Sequence, residues 1–392
     1  MTLLTTPFER ADPLILPQEI SNEIIDYLQL DTASLKHCSL VCRSWLFASR
    51  IHLFRELVFT PQNAFVLPAL ITALPCSTIP PYVRQVEFQG VGHLFGSDYA
   101  NSQLLCHFPS TITHLHLRDI TFDDFHCVLD VICAFPYLQS LVLDHVYWGK
   151  SGDTRGGICR MLPLSVVHLH LKHINLQQFT SWLLLHQKVP TVSRIEIGPL
   201  EERDVLSAGK YLSLIGPTIK HLSYSFGTCE NGHICLFELF PELKSQETLE
   251  PDLSETTTPA LHYKKCFGLS ACIHLSTFTS LQYLRIDGFL DITSPHSSTA
   301  TFWAPRLVAS IKSYDLSHIV LGLNLSRAGD LDMYNVNWNY FDFVFSDDMY
   351  SRLRKLEFEV EGRAQLDSVA SLLAHRLPTV SSRGILRFSK AV

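Results

Sequence analysis

Thiols and imidazoles are the reactive groups that recur along this chain, with 11 cysteines and 19 histidines among 392 residues. Three cysteine pairs, Cys127/Cys133, Cys229/Cys235 and Cys266/Cys272, each enclose five residues and lie close to His126, His233 and His274. Zinc sites prefer about two to four residues between paired ligands, so this spacing is wide for a finger or ribbon. Gly149-Lys150-Ser151 has the ending of a phosphate loop. Upstream of it, however, stand Asp144, His145 and Tyr147, where glycines would have to let backbone amides wrap a phosphate. Neither a Gly-x-Ser-x-Gly elbow nor a His-Glu-x-x-His helix occurs. The chain is therefore read as a non-enzyme, with no catalytic residue, no metal and no cofactor expected.

A second setting for histidine and charge is a short pattern that recurs at 83–88, 112–117, 138–143, 166–171, 192–197 and 219–224. In each copy two apolar residues alternate with polar ones, the signature of a strand with one buried face. The first apolar position falls at 86, 115, 141, 169, 195 and 222, in steps of 29, 26, 28, 26 and 27. Helical patterns lie between copies, such as Phe125, Val128, Leu129 and Ile132, or Phe179, Trp182, Leu183 and His186. One strand with one covering helix cannot enclose its apolar face alone, whereas stacked neighbours bury a continuous core. The period and the L-x-L strand resemble the leucine-rich repeat loosely, since the Asn or Cys that usually follows the strand is missing.

After 224 the period breaks, and strands are next expected at 281–286, 319–323, 353–358 and 385–388, with a helix at Leu366, Val369, Leu373 and Leu377 before the last. The step from 222 to 284 is 62, read as two repeats with an insertion at 241–265, whose Glu, Ser, Thr and Pro content predicts a flexible loop. The aromatic run at 333–345 is read as core or end-cap.

Residues alternating with the strand leucines point to the opposite sheet face, which solenoids use for binding. That face is expected to carry His114, His116, Arg118, Ser140, Val142, Asp144, His168, His170, Lys172, Arg194, Glu196, His221, Ser223, Tyr283, Arg285, Asp287, Lys355 and Glu357. Of these, His116, Arg118, His168, His170, Arg194, Glu196 and Arg285 are the candidate contacts for a protein target.

The segment 14–59 reads differently, as three short helices. Pro17 suits a first turn and Glu19 the positive end of a helix dipole. Ile20, Ile24 and Leu28 recur every four residues, and Asp31 or Thr32 can cap a second helix bearing Leu35, Cys38 and Val41. Cys42, Trp45, Leu46 and Ser49 continue into a third. Leu16-Pro17-x-Glu19-Ile20, then Ile24, Leu28 and Leu35, then Ser39-Leu40-Val41-Cys42-Arg43-Ser44-Trp45 resemble an F-box in order and spacing. The resemblance implies docking on a Skp-type adaptor, and through it on a cullin, by Leu16, Pro17, Ile20, Ile24, Leu28, Leu35, Leu40, Val41, Cys42 and Trp45.

The expected fold is thus an α/β solenoid of irregular leucine-rich-repeat-like units preceded by a small three-helix F-box. Its expected divisions are a tail at 1–13, the F-box at 14–59, a junction at 60–82 and repeats at 83–392, with a strand followed by a helix expected over the apolar, proline-punctuated stretch 57–82. The expected role is substrate receptor of a Skp/cullin/F-box ubiquitin ligase. The alternative is an interaction scaffold with no ubiquitin role, in which the helices only cap the first repeat. A net charge of -7 and a pI near 6.2 argue against a nucleic-acid partner. The start lacks signal-peptide character, and the longest apolar stretch, 64–76, is broken by Pro68 and Pro75 and falls short of the ~20 residues that span a bilayer. A cytoplasmic or nuclear protein with reduced cysteines is expected.

Overall fold

The computed structural model describes residues 16–67, 69, 79–91, 111–149, 160–186, 188–200, 202–226, 275–291, 308–332 and 336–391. The expected tail at 1–13, the insertion at 241–265 and the cysteine pairs 229/235 and 266/272 lie outside them.

Three helices open the described chain: α1 (Gln18–Tyr27), α2 (Thr32–Cys38) and α3 (Arg43–Leu53). The Pro17 carbonyl accepts the first helical bond from the Ser21 amide at 3.1 Å, leaving proline where its missing N–H costs nothing. Asp31 caps α2 by accepting from the Ala33 and Ser34 amides at 3.1 and 3.0 Å. Ile25, Leu35 and Ala48 form a small core of their own, with Leu28, Cys38, Trp45 and Leu53 packed around it. His52 and Asp26, 2.7 Å apart, tie α3 to α1.

Among the remaining described residues, 11 strands lie side by side in chain order in one parallel sheet. They are β1 (Glu56–Phe59), β2 (Gln85–Gln89), β3 (His114–Phe122), β4 (Ser140–Trp148), β5 (His168–Lys172), β6 (Arg194–Leu200), β7 (His221–Phe226), β8 (Tyr283–Asp291), β9 (His318–Leu325), β10 (Lys355–Gly362) and β11 (Leu386–Lys390). The register sets Val86 beside Leu115, then Leu141, Leu169, Ile195, Leu222, Leu284, Ile319, Leu356 and Leu386, one apolar ladder across ten strands. Its positions through Leu356 are enclosed, as is the companion row from Phe88 through Leu117, Leu143, Leu171 and Ile197. Parallel neighbours need a crossover, and α4 (Phe125–Cys133), α5 (Leu176–Leu184), α6 (Glu202–Ile215), α7 (Trp338–Val344), α8 (Leu366–Arg376) and α9 (Pro378–Ser382) lie in such crossovers. Their apolar residues join the same core as the ladders. The arrangement is α/β, and none of the described helices is long and apolar enough to cross a membrane.

Three particulars differ from expectation. Residues Glu56–Phe59 form the strand expected at the start of 57–82 and pair with β2, so what differs is the boundary: the sheet begins inside the span expected for the F-box. Strand β7 pairs directly with β8, so the 62-residue step is a single step across the sheet and not two repeats. The described part of the aromatic run supplies core, as expected, at α7 through Trp338, Phe341, Val344 and Phe345, while Phe343 is exposed; the end-cap alternative fails, since the run lies between β9 and β10. There the buried Asp342 carboxylate accepts from the Thr379 and Val380 amides at 3.0 and 3.1 Å, capping α9 from the preceding crossover.

The strands also share a kink. Gly90, Asp119, His145, His173 and Gly288 follow the registered positions 89, 118, 144, 172 and 287, and all have φ between 51° and 65°. A left-handed residue inserted in a strand is a bulge, which leaves two successive side chains on the outer face before the inward alternation resumes. Leu117 and Ile120, like Leu143 and Val146, are accordingly both buried although three positions apart.

Candidate functional site

On the N-terminal helices the core takes few of the apolar residues. Along α1, Ser21 and Ile25 face inward, and Ile20 and Ile24 lie one residue earlier, about 100° around the helix. They remain 43% and 40% exposed, and with Tyr27, 90% exposed, they follow the i, i+4, i+7 row of one helix flank. Leu16 is 46% exposed just before α1. In the turn between α2 and α3, Leu40 and Val41 are 82% and 64% exposed, although their backbone amides are fixed by the His37 and Cys38 carbonyls at 3.0 and 3.1 Å. A rigid turn thus holds two large apolar side chains in water.

Pro17 and Cys42 are also exposed, and Leu28 and Trp45 are half-buried against the small core. Leu35, expected among the adaptor-facing residues, is fully enclosed between the helices. Seven residues of α2 have only one side chain in the core, and Leu35 fills that place. Spacing alone does not separate it from its exposed neighbours. Phe47 and Ile51, exposed at i and i+4 on α3, were not among the expected residues.

The open sheet face carries the second candidate surface, built by register. Glu196 gathers three of the expected residues: His170 Nδ1 at 2.9 Å, Arg194 at 2.7 Å and His168 Nε2 at 3.8 Å. His168, His170 and Arg194 together hold its carboxyl well below the usual carboxylate range. Four strands from Glu196, on β2, Glu87 stands 3.7 Å from His116 and 3.5 Å from Arg118, and Arg118 reaches Asp144 at 3.7 Å. Arg285 lies apart, bonded to Asp287 at 2.7 Å and, across β9, to Glu359. That reach is open because β9 has only Gly322 in register between Asp287 and Glu359. Lys355 and His318 close on Glu357 at 2.7 and 3.1 Å.

Glu87, His318 and Glu359 were not among the expected residues, yet all obey the same alternation beside Val86, Ile319 and Phe358. In one row the histidines occupy alternate strands: His114, His168, His221 and His318, with Ser140, Arg194 and Tyr283 between them. Ser140 and Ser223 are enclosed by their longer neighbours, Ser140 through a 3.0 Å bond to His168. Burial pushes the imidazoles of His114, His116, His221 and His318 below their ordinary value of 6.5, favouring the neutral form. The face therefore presents acidic residues each gripped by neighbouring cations or imidazoles, charges fixed in place before any partner arrives.

Cys127 and Cys133 lie on α4 against the core, and burial pushes both up to about 11.

Residues 14–60 match the family described as F-box-like. No curated protein matches the chain.

Proposed function

We propose that this chain is the substrate-receptor subunit of a Skp/cullin/F-box ubiquitin ligase. The observation that carries the reading is a coincidence of sequence and surface: the F-box-like match at 14–60 falls on the helices whose large apolar residues stay in solvent. Leu16, Pro17, Ile20, Ile24, Leu40, Val41 and Cys42 would meet a Skp-type adaptor, with Trp45 and Leu28 at the edge of that contact and Leu35 supporting it from inside. Exposed apolar side chains on a unit with its own core are what an obligate partner covers.

The sheet and its crossovers are read as an irregular leucine-rich-repeat-like solenoid whose open face binds a protein target. The mechanism is positioning: one chain holds adaptor and target together, raising the effective concentration of the target at the transferring subunits, and contributes no catalytic group. Such a role belongs to the cytoplasm or nucleus. The scaffold alternative asks for Ile20, Ile24 and Trp45 to be covered by the first strands; Ile20 and Ile24 are open, which counts against it.

Co-expression of the full chain with a Skp-type adaptor and a cullin, followed by size-exclusion chromatography, tests the reading. A three-part assembly is expected. A chain that elutes without the adaptor overturns it.

A further inference from the structure

The kink described above brings together side chains that the strand alternation alone would separate. On β4 the left-handed His145 follows Asp144, so both point outward, and the equivalent left-handed residue of the next repeat is His173. One ligand atom from each of Asp144, His145 and His173 lies within 4.8 Å of the others. His145 Nδ1 stands 2.9 Å from Asp144 Oδ1, and the His145 and His173 rings stack with centroids 4.1 Å apart and planes 24° from parallel. These residues belong neither to the ion-pair cluster around Glu196 nor to the N-terminal surface.

We propose that Asp144, His145 and His173 form a binding site for a zinc-class divalent transition metal on the open sheet face. Three observations point the same way. Two imidazoles and one carboxylate oxygen are the donor set that borderline divalent ions take, whereas calcium and magnesium take oxygen alone. Two adjacent residues in the stack adopt a backbone conformation that glycine adopts without cost, at the positions where Gly90 and Gly288 occupy equivalent kinks. The imidazoles thus occupy kink positions filled by glycine at 90 and 288 and by one other non-glycine residue, Asp119, on the neighbouring β3. Finally, the site is half-open: the Asp144 and His145 side chains keep 23% and 43% of their surface exposed, so a metal held by three protein ligands retains a position for water or for a side chain of a bound protein.

The positive groups nearby are Arg118, 3.7 Å from Asp144 Oδ2, and Lys172 in register with Asp144. Arg118 engages the carboxylate oxygen that does not face His145, which leaves Oδ1 for the metal. The proposal stands independently of adaptor docking.

Zinc chloride titrated into the full chain, followed by calorimetry and by metal analysis after dialysis, tests it. Because other histidines and thiols bind zinc, the quantity read is a difference between wild type and His145→Asn/His173→Asn, asparagine being the residue that tolerates the left-handed backbone best after glycine. The wild type is expected to hold one more equivalent than the double variant, and Asp144→Asn to weaken that equivalent by about tenfold or more, since loss of a supporting partner alone costs that much. Equal stoichiometry and affinity in wild type and the folded double variant overturn the site. Should the double variant fail to fold, the near-isosteric Asp144→Asn decides alone, with unchanged affinity counting against the proposal.

Discussion

The two regions of the molecule treat the same kind of residue in opposite ways. In the sheet every large apolar residue of the Val86-to-Leu356 ladder is enclosed. In the N-terminal helices only Ile25, Leu35 and Ala48 are, while Ile20, Ile24, Leu40, Val41, Phe47 and Ile51 face water. The difference follows from size and geometry. Each strand between the two edges has a neighbour on either side, whereas three short helices have too little interior to hide what they carry. An apolar side chain left out of the sheet would be a defect, but left out of the helices it is a surface.

The largest effects that sharpen this contrast are core truncations. Leu169→Ala in the middle of the ladder and Leu35→Ala in the helical core should each cost about 2–5 kcal/mol. They should differ in extent: amide exchange should rise across the sheet for Leu169→Ala and only over residues 16–53 for Leu35→Ala. Equal spread of exchange in both variants would mean that the two cores are one cooperative unit. Next in size is Glu196→Gln, which removes the charge that His168, His170 and Arg194 share; urea unfolding should show a loss of about 1–3 kcal/mol. An unchanged midpoint would mean that the network contributes nothing to stability.

Acid should produce a smaller, graded loss. His114, His116, His221 and His318 titrate below 6.5 in the folded chain, so the unfolded chain binds protons first. Their contribution is complete above the unfolded value and is lost as the pH falls through 6.5 toward the lowered folded values. Glu196 adds the same sign further down, below its ordinary 4.5. Urea midpoints measured at pH about 7.5 and about 5.5 should therefore fall with pH, and a flat profile would contradict the neutral assignment. Smaller still is Asp124→Ala, which deletes the 2.9 Å bond from the Cys127 amide that caps α4 and should cost about 1 kcal/mol in thermal unfolding.

Ten of the strands were legible from the L-x-L pattern, six of them at nearly constant steps and four after the period breaks, and parallel pairing converts the pattern into register. The expectation of an extra repeat between 222 and 284 failed because chain length measures only the crossover, not what lies in the sheet. The outward residues were legible as a set but not in their pairing: that Glu196 serves both His168 and His170 depends on which strands are neighbours. His145 and His173 escaped because a bulge breaks strict alternation. A trace of it stands in the spacing Leu117-x-x-Ile120, Leu143-x-x-Val146 and Leu171-x-x-Ile174. On the helices the motif marked the segment, but the motif contains both core and surface positions, and only packing assigns Leu35 to one and Val41 to the other.

The most direct test is the affinity of a Skp-type adaptor for the full chain and for Ile24→Glu/Val41→Glu, two changes at exposed positions, with melting curves recorded for both. The account predicts that wild type binds, that the variant melts as wild type does, and that its binding falls by about 2 kcal/mol or more, roughly thirtyfold. Wild type that binds no adaptor, or a folded variant that binds as well as wild type, would contradict it.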